Sequence, residues 1–187
     1  MLAQPEARIR RPSALRPCHP AIIVWKGEHM DSSIVEAFSH AARDTFKEMF
    51  GLDAVETGSR ELDASKNHGW DLTGLLGLAG QAQGVVAVRL EQSFAMGLLA
   101  DSGVGADGDE ERERLESGLV GEITNIVAGS AISSIRGFDI EIAPPVVVRG
   151  PNHMIDWPEI APVIALSFTV SGKGPSGRFE VDLCIRH

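Results

Sequence analysis

No apolar run in the chain approaches the roughly 18 residues a membrane span needs. The stretch Ala21 to Trp25, preceded by Pro20, is far shorter. The N-terminus also lacks the apolar segment of about 7–15 residues that marks a secretory leader. These absences lead to the expectation of a cytoplasmic protein without membrane association. Cysteine is scarce: Cys18 and Cys184 stand far apart and share no metal-ligand spacing. They read as free thiols, Cys184 buried in a strand. Clustered positive charge is missing too. Residues 1–29 carry +3 through Arg8, Arg10, Arg11, Arg16 and Lys26 against Glu6 and Glu28, leaving −12 on the rest of a chain whose formal charge is −9. An acidic body argues against nucleic acid as a partner, because neutralising phosphates takes clustered Lys and Arg.

Several chemical signatures are likewise absent. The six histidines, His19, His29, His40, His68, His153 and His187, show neither H-x-x-x-H nor Cys–His ligand spacing. There is no G-x-S-x-G elbow. Cys18 with His19 lies in a proline-rich segment unsuited to a pre-organised nucleophile. Gly172, Gly174 and Gly177 spell G-x-G-x-x-G, but a strand pattern follows where a dinucleotide site needs a helix. They read as a hairpin loop. The acidic run Asp107 to Glu113 reads as a solvated helix start.

What remains is a chain of 187 residues, 43% apolar and 23% charged, with room for one domain and a sizeable core. Residues 1–29 hold four prolines and no periodicity, and read as a disordered tail or the product of a start assigned too early. The domain is expected over 30–187, opening at the helix cap Asp31-Ser32-Ser33. Helical spacing predicts a first helix over 33–50, closed by Gly51. Residues 56–67 read as a loop, with a short strand near 53–56. Strands over 70–78 and 84–90 form an antiparallel hairpin around Gly80 to Gln83. A short helix over 92–101 and a long one over 109–135 follow. The long helix opens with acids that suit its dipole, and its apolar stripe is Leu115, Leu119, Ile123, Ile126, Val127 and Ile135. Short strands at 139–142 and 146–148 flank Pro144-Pro145 and are expected interrupted or at an edge. Clear strands follow over 163–170 and 178–185. The fold class is α+β, with long helices packed on one face of a mainly antiparallel sheet.

The long helix has a second stripe: Gly118, Gly121, Glu122, Asn125 and Gly129 share a face beside the apolar one. Glu122 and Asn125 are i and i+3, hence neighbours. Glycines inside a helix cost about 1 kcal/mol each relative to alanine. Two reasons for such a cost stay open: close packing on the protein's own sheet, or a bare surface that lets a macromolecule approach Glu122 and Asn125.

The segment Gly121-Glu122-Ile123-Thr124-Asn125-Ile126-Val127-Ala128-Gly129-Ser130-Ala131 resembles the signature helix of the CheC/CheX/FliY family, an E-x-x-N followed by an apolar pair, Ala-Gly and a small residue. Pro145-Val146-Val147-Val148-Arg149-Gly150 resembles the family's downstream proline, apolar run and glycine. One E-x-x-N rather than two, with Glu36-Ala37-Phe38-Ser39 lacking an Asn, is closest to the CheX branch. The family often has Asp or Ser four residues before the Glu, and here that place is Gly118.

The resemblance implies a CheC/CheX-like fold and a hydrolase acting in chemotaxis or related two-component signalling. The substrate would be the aspartyl-phosphate of a phosphorylated CheY-like response regulator. Asn125 would orient the attacking water, Glu122 would bind the regulator's lysine, and Gly118, Gly121 and Gly129 would form the docking surface. No cofactor of its own is implied; Mg²⁺ is expected on the regulator. A homodimer paired through its sheets is also implied, with strands 163–170 and 178–185 offering the edge. A non-catalytic regulator-binding module of the same fold is the second reading, and a flagellar-switch-like assembly component the third.

Overall fold

The computed structural model describes residues 30–66, 68–135, 137, 139–151 and 153–187. The expectations for residues 1–29, with Cys18, lie outside the described residues.

Helix α1 (Ser32–Phe50) begins where Asp31 accepts a hydrogen bond from the Ser33 N–H, and ends at Gly51 in the left-handed region, φ 68°. Its buried side, Ile34, Phe38, Ala41, Ala42 and Phe46, follows the helical period. Strand β1 (Ala54–Glu61) comes next, then the hairpin of β2 (Leu72–Gly80) and β3 (Gln83–Leu90). Helices α2 (Gln92–Asp101) and α3 (Asp109–Ser134) lead to β4 (Ile140–Ile142), β5 (Val146–Arg149), β6 (Ile164–Val170) and β7 (Gly177–Arg186). All pairings are antiparallel, in the order β1-β6-β7-β3-β2-β4, and β5 pairs with β2 beyond β4. The α+β expectation holds.

The three helices cover one face of the sheet. Alternate residues of β3 (Val86, Val88, Leu90), β6 (Leu166, Phe168) and β7 (Phe179, Val181, Leu183) join α1, α2 and α3 in one core. An aromatic column ties it together: Phe46 stacks on Phe94 and Phe179, with centroids 5.9 and 4.1 Å apart, and Phe179 stacks on Phe168 at 4.7 Å. The opposite face carries a smaller cluster, Leu62, Ala87, Trp157, Val163, Ala165 and Cys184. Beside it lie two ion pairs, Arg60–Glu180 at 2.7 Å and the buried Arg89–Asp182 at 2.6 Å. Burial pushes the Asp182 carboxyl well up, and the Arg89 guanidinium pulls against it.

The four strands expected after the long helix are present as β4 to β7. Three readings are corrected. Residues 56–61 are strand, not loop, because β6 supplies the backbone partners of a polar edge strand. Strands β6 and β7 offer no edge: each is paired on both sides, and the edges are β1 and the β4/β5 pair. The buried stripe of α3 is Glu116, Val120, Gly121, Ile123, Thr124, Val127, Ala128 and Ala131, while Leu115, Leu119, Ile126 and Ile135 are only partly covered.

Candidate functional site

The 26-residue α3 begins with Asp109, Glu110 and Glu111 in its first turn, where carboxylates meet the positive end of the helix dipole. Its inner side is fixed against the sheet by a close approach. Thr124, fully buried, donates its hydroxyl to the Val120 carbonyl at 2.7 Å and lies over Gly74 of β2. A side chain at position 74 would collide with that hydroxyl, so a bare backbone lets helix and sheet meet there.

With Val120, Ile123, Thr124 and Val127 turned inward, Glu122 and Asn125 stand outward, both exposed. Three residues apart on one helix, they share a face. Among the described residues neither side chain has a hydrogen-bond partner, so both are free to engage another molecule. The glycines divide. Beside Gly118 and Gly129 the space where a side chain would begin is open to 4 Å. Gly121 is buried beneath β5: a Cβ there would stand 3.5 Å from Val147 and 3.8 Å from Pro145. The docking expectation for Gly121 is therefore corrected, since its contacts are with the chain's own edge strand. Close packing on the chain's own structure thus accounts for Gly121, while Gly118 and Gly129 leave bare surface beside Glu122 and Asn125.

The arrangement is an open ridge rather than a pocket. A cavity of about 580 Å³ is lined by Leu62, Trp157 and Val163 among others, and one of about 290 Å³ by Arg60, Ser167 and Glu180 among others. Both lie away from Glu122 and Asn125. Among the described residues no group of three or more His, Cys, Asp or Glu is gathered as a metal site would require. No helix among them is long and apolar enough to cross a membrane. A carboxylate and an amide on a ridge can accept from a cation and orient a water, provided that a partner brings the reacting group to them.

The sequence reading gave no role to Glu116 or to Arg149, which it named only within the Pro145–Gly150 segment. Glu116 is fully buried, and Arg149 of β5 reaches it at 2.7 Å. The one available signal was its position: Glu116 precedes Val120, Ile123 and Val127 on the inward stripe, where a charge calls for a partner.

Comparison with known proteins bears on the same region. The family model for the chemotaxis phosphatase CheX matches residues 72–169, just over half the chain. Comparison with the curated proteins gives no match. Among solved structures, the chain resembles the chemotaxis protein CheX of Vibrio vulnificus, 28% identical, covering 82% of this chain and 99% of that one with a TM-score of 0.68. The CheX of Desulfovibrio desulfuricans is 25% identical, with the same coverage and TM-score. The same fold occurs in a CheX–CheY–BeF₃–Mg²⁺ complex from Borrelia burgdorferi, 21% identical over 82% of this chain and 98% of that one, TM-score 0.68.

Proposed function

The chain belongs to the CheX family of chemotaxis phosphatases, and from that premise we propose that it hydrolyses the aspartyl-phosphate of a CheY-type response regulator. The observation that carries the reading is the exposed pair Glu122 and Asn125 on the outer face of α3, without hydrogen-bond partners among the described residues. Phosphoryl transfer passes through a loose transition state, and catalysis consists mainly of placing the water and stabilising charge. An amide suits the placing of water, because Asn125 both donates to and accepts from it without bringing a negative charge near the phosphoryl oxygens. A carboxylate suits a cationic partner group, because Glu122 accepts a charge-assisted hydrogen bond from the lysine of the regulator's acceptor site. Mg²⁺ belongs to the regulator in this scheme; the Borrelia complex contains CheX, CheY, BeF₃ and Mg²⁺. Open space at Gly118 and Gly129 lets the partner's loops approach the ridge.

One observation favours a second reading. Gly118 leaves empty a place where family members often carry Asp or Ser, which fits a module that binds the regulator without speeding hydrolysis. Phosphate release from a phosphorylated regulator separates the two. The phosphatase accelerates release, Asn125→Ala loses about 10²-fold in kcat, and Glu122→Ala raises KM about 10-fold or more through loss of a charged hydrogen bond. Binding with no acceleration would leave the adaptor.

A further inference from the structure

The outer face of α3 is aimed from beneath by a charge that an apolar core does not need. Glu116 lies six residues ahead of Glu122 and is fully buried. Its Oε2 accepts from Nη2 of Arg149 at 2.7 Å and from Nε2 of Gln92, the first residue of α2, at 3.3 Å. Arg112, one turn earlier on α3, stands 3.8 Å from Oε1. Arg149 holds more than the carboxylate. Its Nη1 donates to the Glu113 carbonyl at 3.0 Å and to the Ser117 hydroxyl at 3.3 Å. One guanidinium from an edge strand thus grips residues 113, 116 and 117, a single helical turn. Two residues earlier on β5, Val147 packs on Gly121 together with Pro145. These contacts of residues 145–149 with α3 run from Glu113 to Gly121, the residue next to Glu122.

Stability explains this arrangement poorly. Moving a carboxylate and a guanidinium out of water costs about as much as their attraction returns, and apolar replacements of similar volume are often neutral or better. Orientation explains it well, because the guanidinium is a rigid fork that holds several acceptors in one geometry. Strand β5 is four residues long and, among the described residues, pairs only with β2. Without Arg149 no directional bond of this group remains, and the contact of Pro145 and Val147 at Gly121 is apolar, tolerating small rotations of the helix. Rotating α3 by about 10° moves a side-chain tip roughly 6 Å from its axis by about 1 Å, and a displacement of about 1 Å can cost about 10²-fold in a positioned reaction.

We propose that Glu116 and Arg149 are positioning residues that set the rotation of α3 and so aim Asn125 and Glu122 at the partner's acyl phosphate. The proposal rests on the phosphatase reading above. The test is steady-state phosphate release by the full chain from a CheY-type regulator kept phosphorylated with phosphoramidate. Glu116→Met with Arg149→Met removes both charges together, and Arg112, which loses its approach to Glu116, keeps its ion pair with Asp109 at 2.8 Å. This pair of substitutions is expected to keep the thermal midpoint of the wild type and to lose about tenfold in kcat. Arg149→Lys, which restores one contact to Glu116, is expected to recover part of that loss. In an Asn125→Ala background the same pair is expected to change the rate less than twofold, since there is no amide left to aim; a general weakening of the fold would add its full effect there. Wild-type kcat in the double variant, a rate loss that follows a fall in thermal midpoint or failure to fold, or full additivity with Asn125→Ala would each overturn the proposal. Absence of acceleration by the wild type would remove the phosphatase reading, and this proposal with it. Acceleration by the wild type with an unaffected double variant would remove the proposal alone.

Discussion

Adding a methyl group to Gly118 and Gly129 should make the protein more stable and a poorer partner for the regulator. Both glycines lie inside α3, with open space to 4 Å where a Cβ would stand. Alanine there meets no steric penalty and recovers about 1 kcal/mol of helix propensity per site. Eleven residues separate them, about 16 Å along the helix, so the two gains should add, to about 2 kcal/mol. For a chain of this size that amounts to a rise in Tm of about 4–8 °C. Urea and thermal unfolding of the single and double variants measure it. The same methyl groups crowd the ridge, so KM for the phosphorylated regulator should rise as Tm rises. A fall in stability would show that these glycines are packed rather than open. Higher stability with unchanged KM would show that the bare surface serves no partner.

Further consequences follow for other parts of the molecule. A Cβ at position 74 would overlap the Thr124 hydroxyl and stand 3.2 Å from the Val120 carbonyl oxygen. Gly74→Ala should therefore cost about 3 kcal/mol in urea unfolding, and Thr124→Ala should recover part of that loss in the double variant. Asp31→Ala should cost about 1 kcal/mol through loss of the α1 cap. The Ser33 N–H holds the Asp31 carboxyl below its ordinary value. A carboxylate depressed in this way contributes fully above its unfolded pKa of about 3.9 and loses that contribution as pH falls through the lower folded value. The stability difference between wild type and Asp31→Ala should accordingly shrink on acidification below about pH 4. Cys184 is fully buried, its thiol donates to the carbonyls of Pro158 and Ala161 at 3.3 Å, and burial raises its pKa. In a Cys18→Ser background it should resist a thiol reagent until the protein unfolds; rapid labelling of the native protein would contradict its placement.

How much of this was legible in the sequence depended on whether side-chain pattern or tertiary pairing decided each element. Helix α1, with its cap, amphipathic stripe and terminal glycine, carries its own signals, as does the β2–β3 hairpin. Strand β1 carries almost none. After Ala54 its one large apolar residue is Val55, most of the strand is exposed, and its backbone partners on β6 lie more than a hundred residues away. The α3 stripe was misplaced because its buried positions include Glu116, Gly121 and Thr124, which no count of apolar residues finds. The edge assigned to β6 and β7 failed for a related reason. Glu180 and Asp182 alternate with apolar residues as on a solvated strand, yet both are buried and paired to Arg60 and Arg89 on the helix-free face. Glu122 and Asn125 were singled out by resemblance to the family's E-x-x-N helix, and their three-residue spacing places them on one face, whatever lies beneath.

The claim that the outer face of α3 is where a phosphorylated regulator docks can be tested most directly by NMR. Amide and side-chain shifts of the ¹⁵N-labelled protein would be followed on addition of a CheY-type regulator activated with beryllofluoride and Mg²⁺. The expected perturbations centre on Gly118, Glu122, Asn125 and Gly129 and include the Asn125 side-chain amide. Perturbations confined to β1 or to the helix-free face around Arg60 and Trp157, with the Asn125 amide unmoved, would contradict the account.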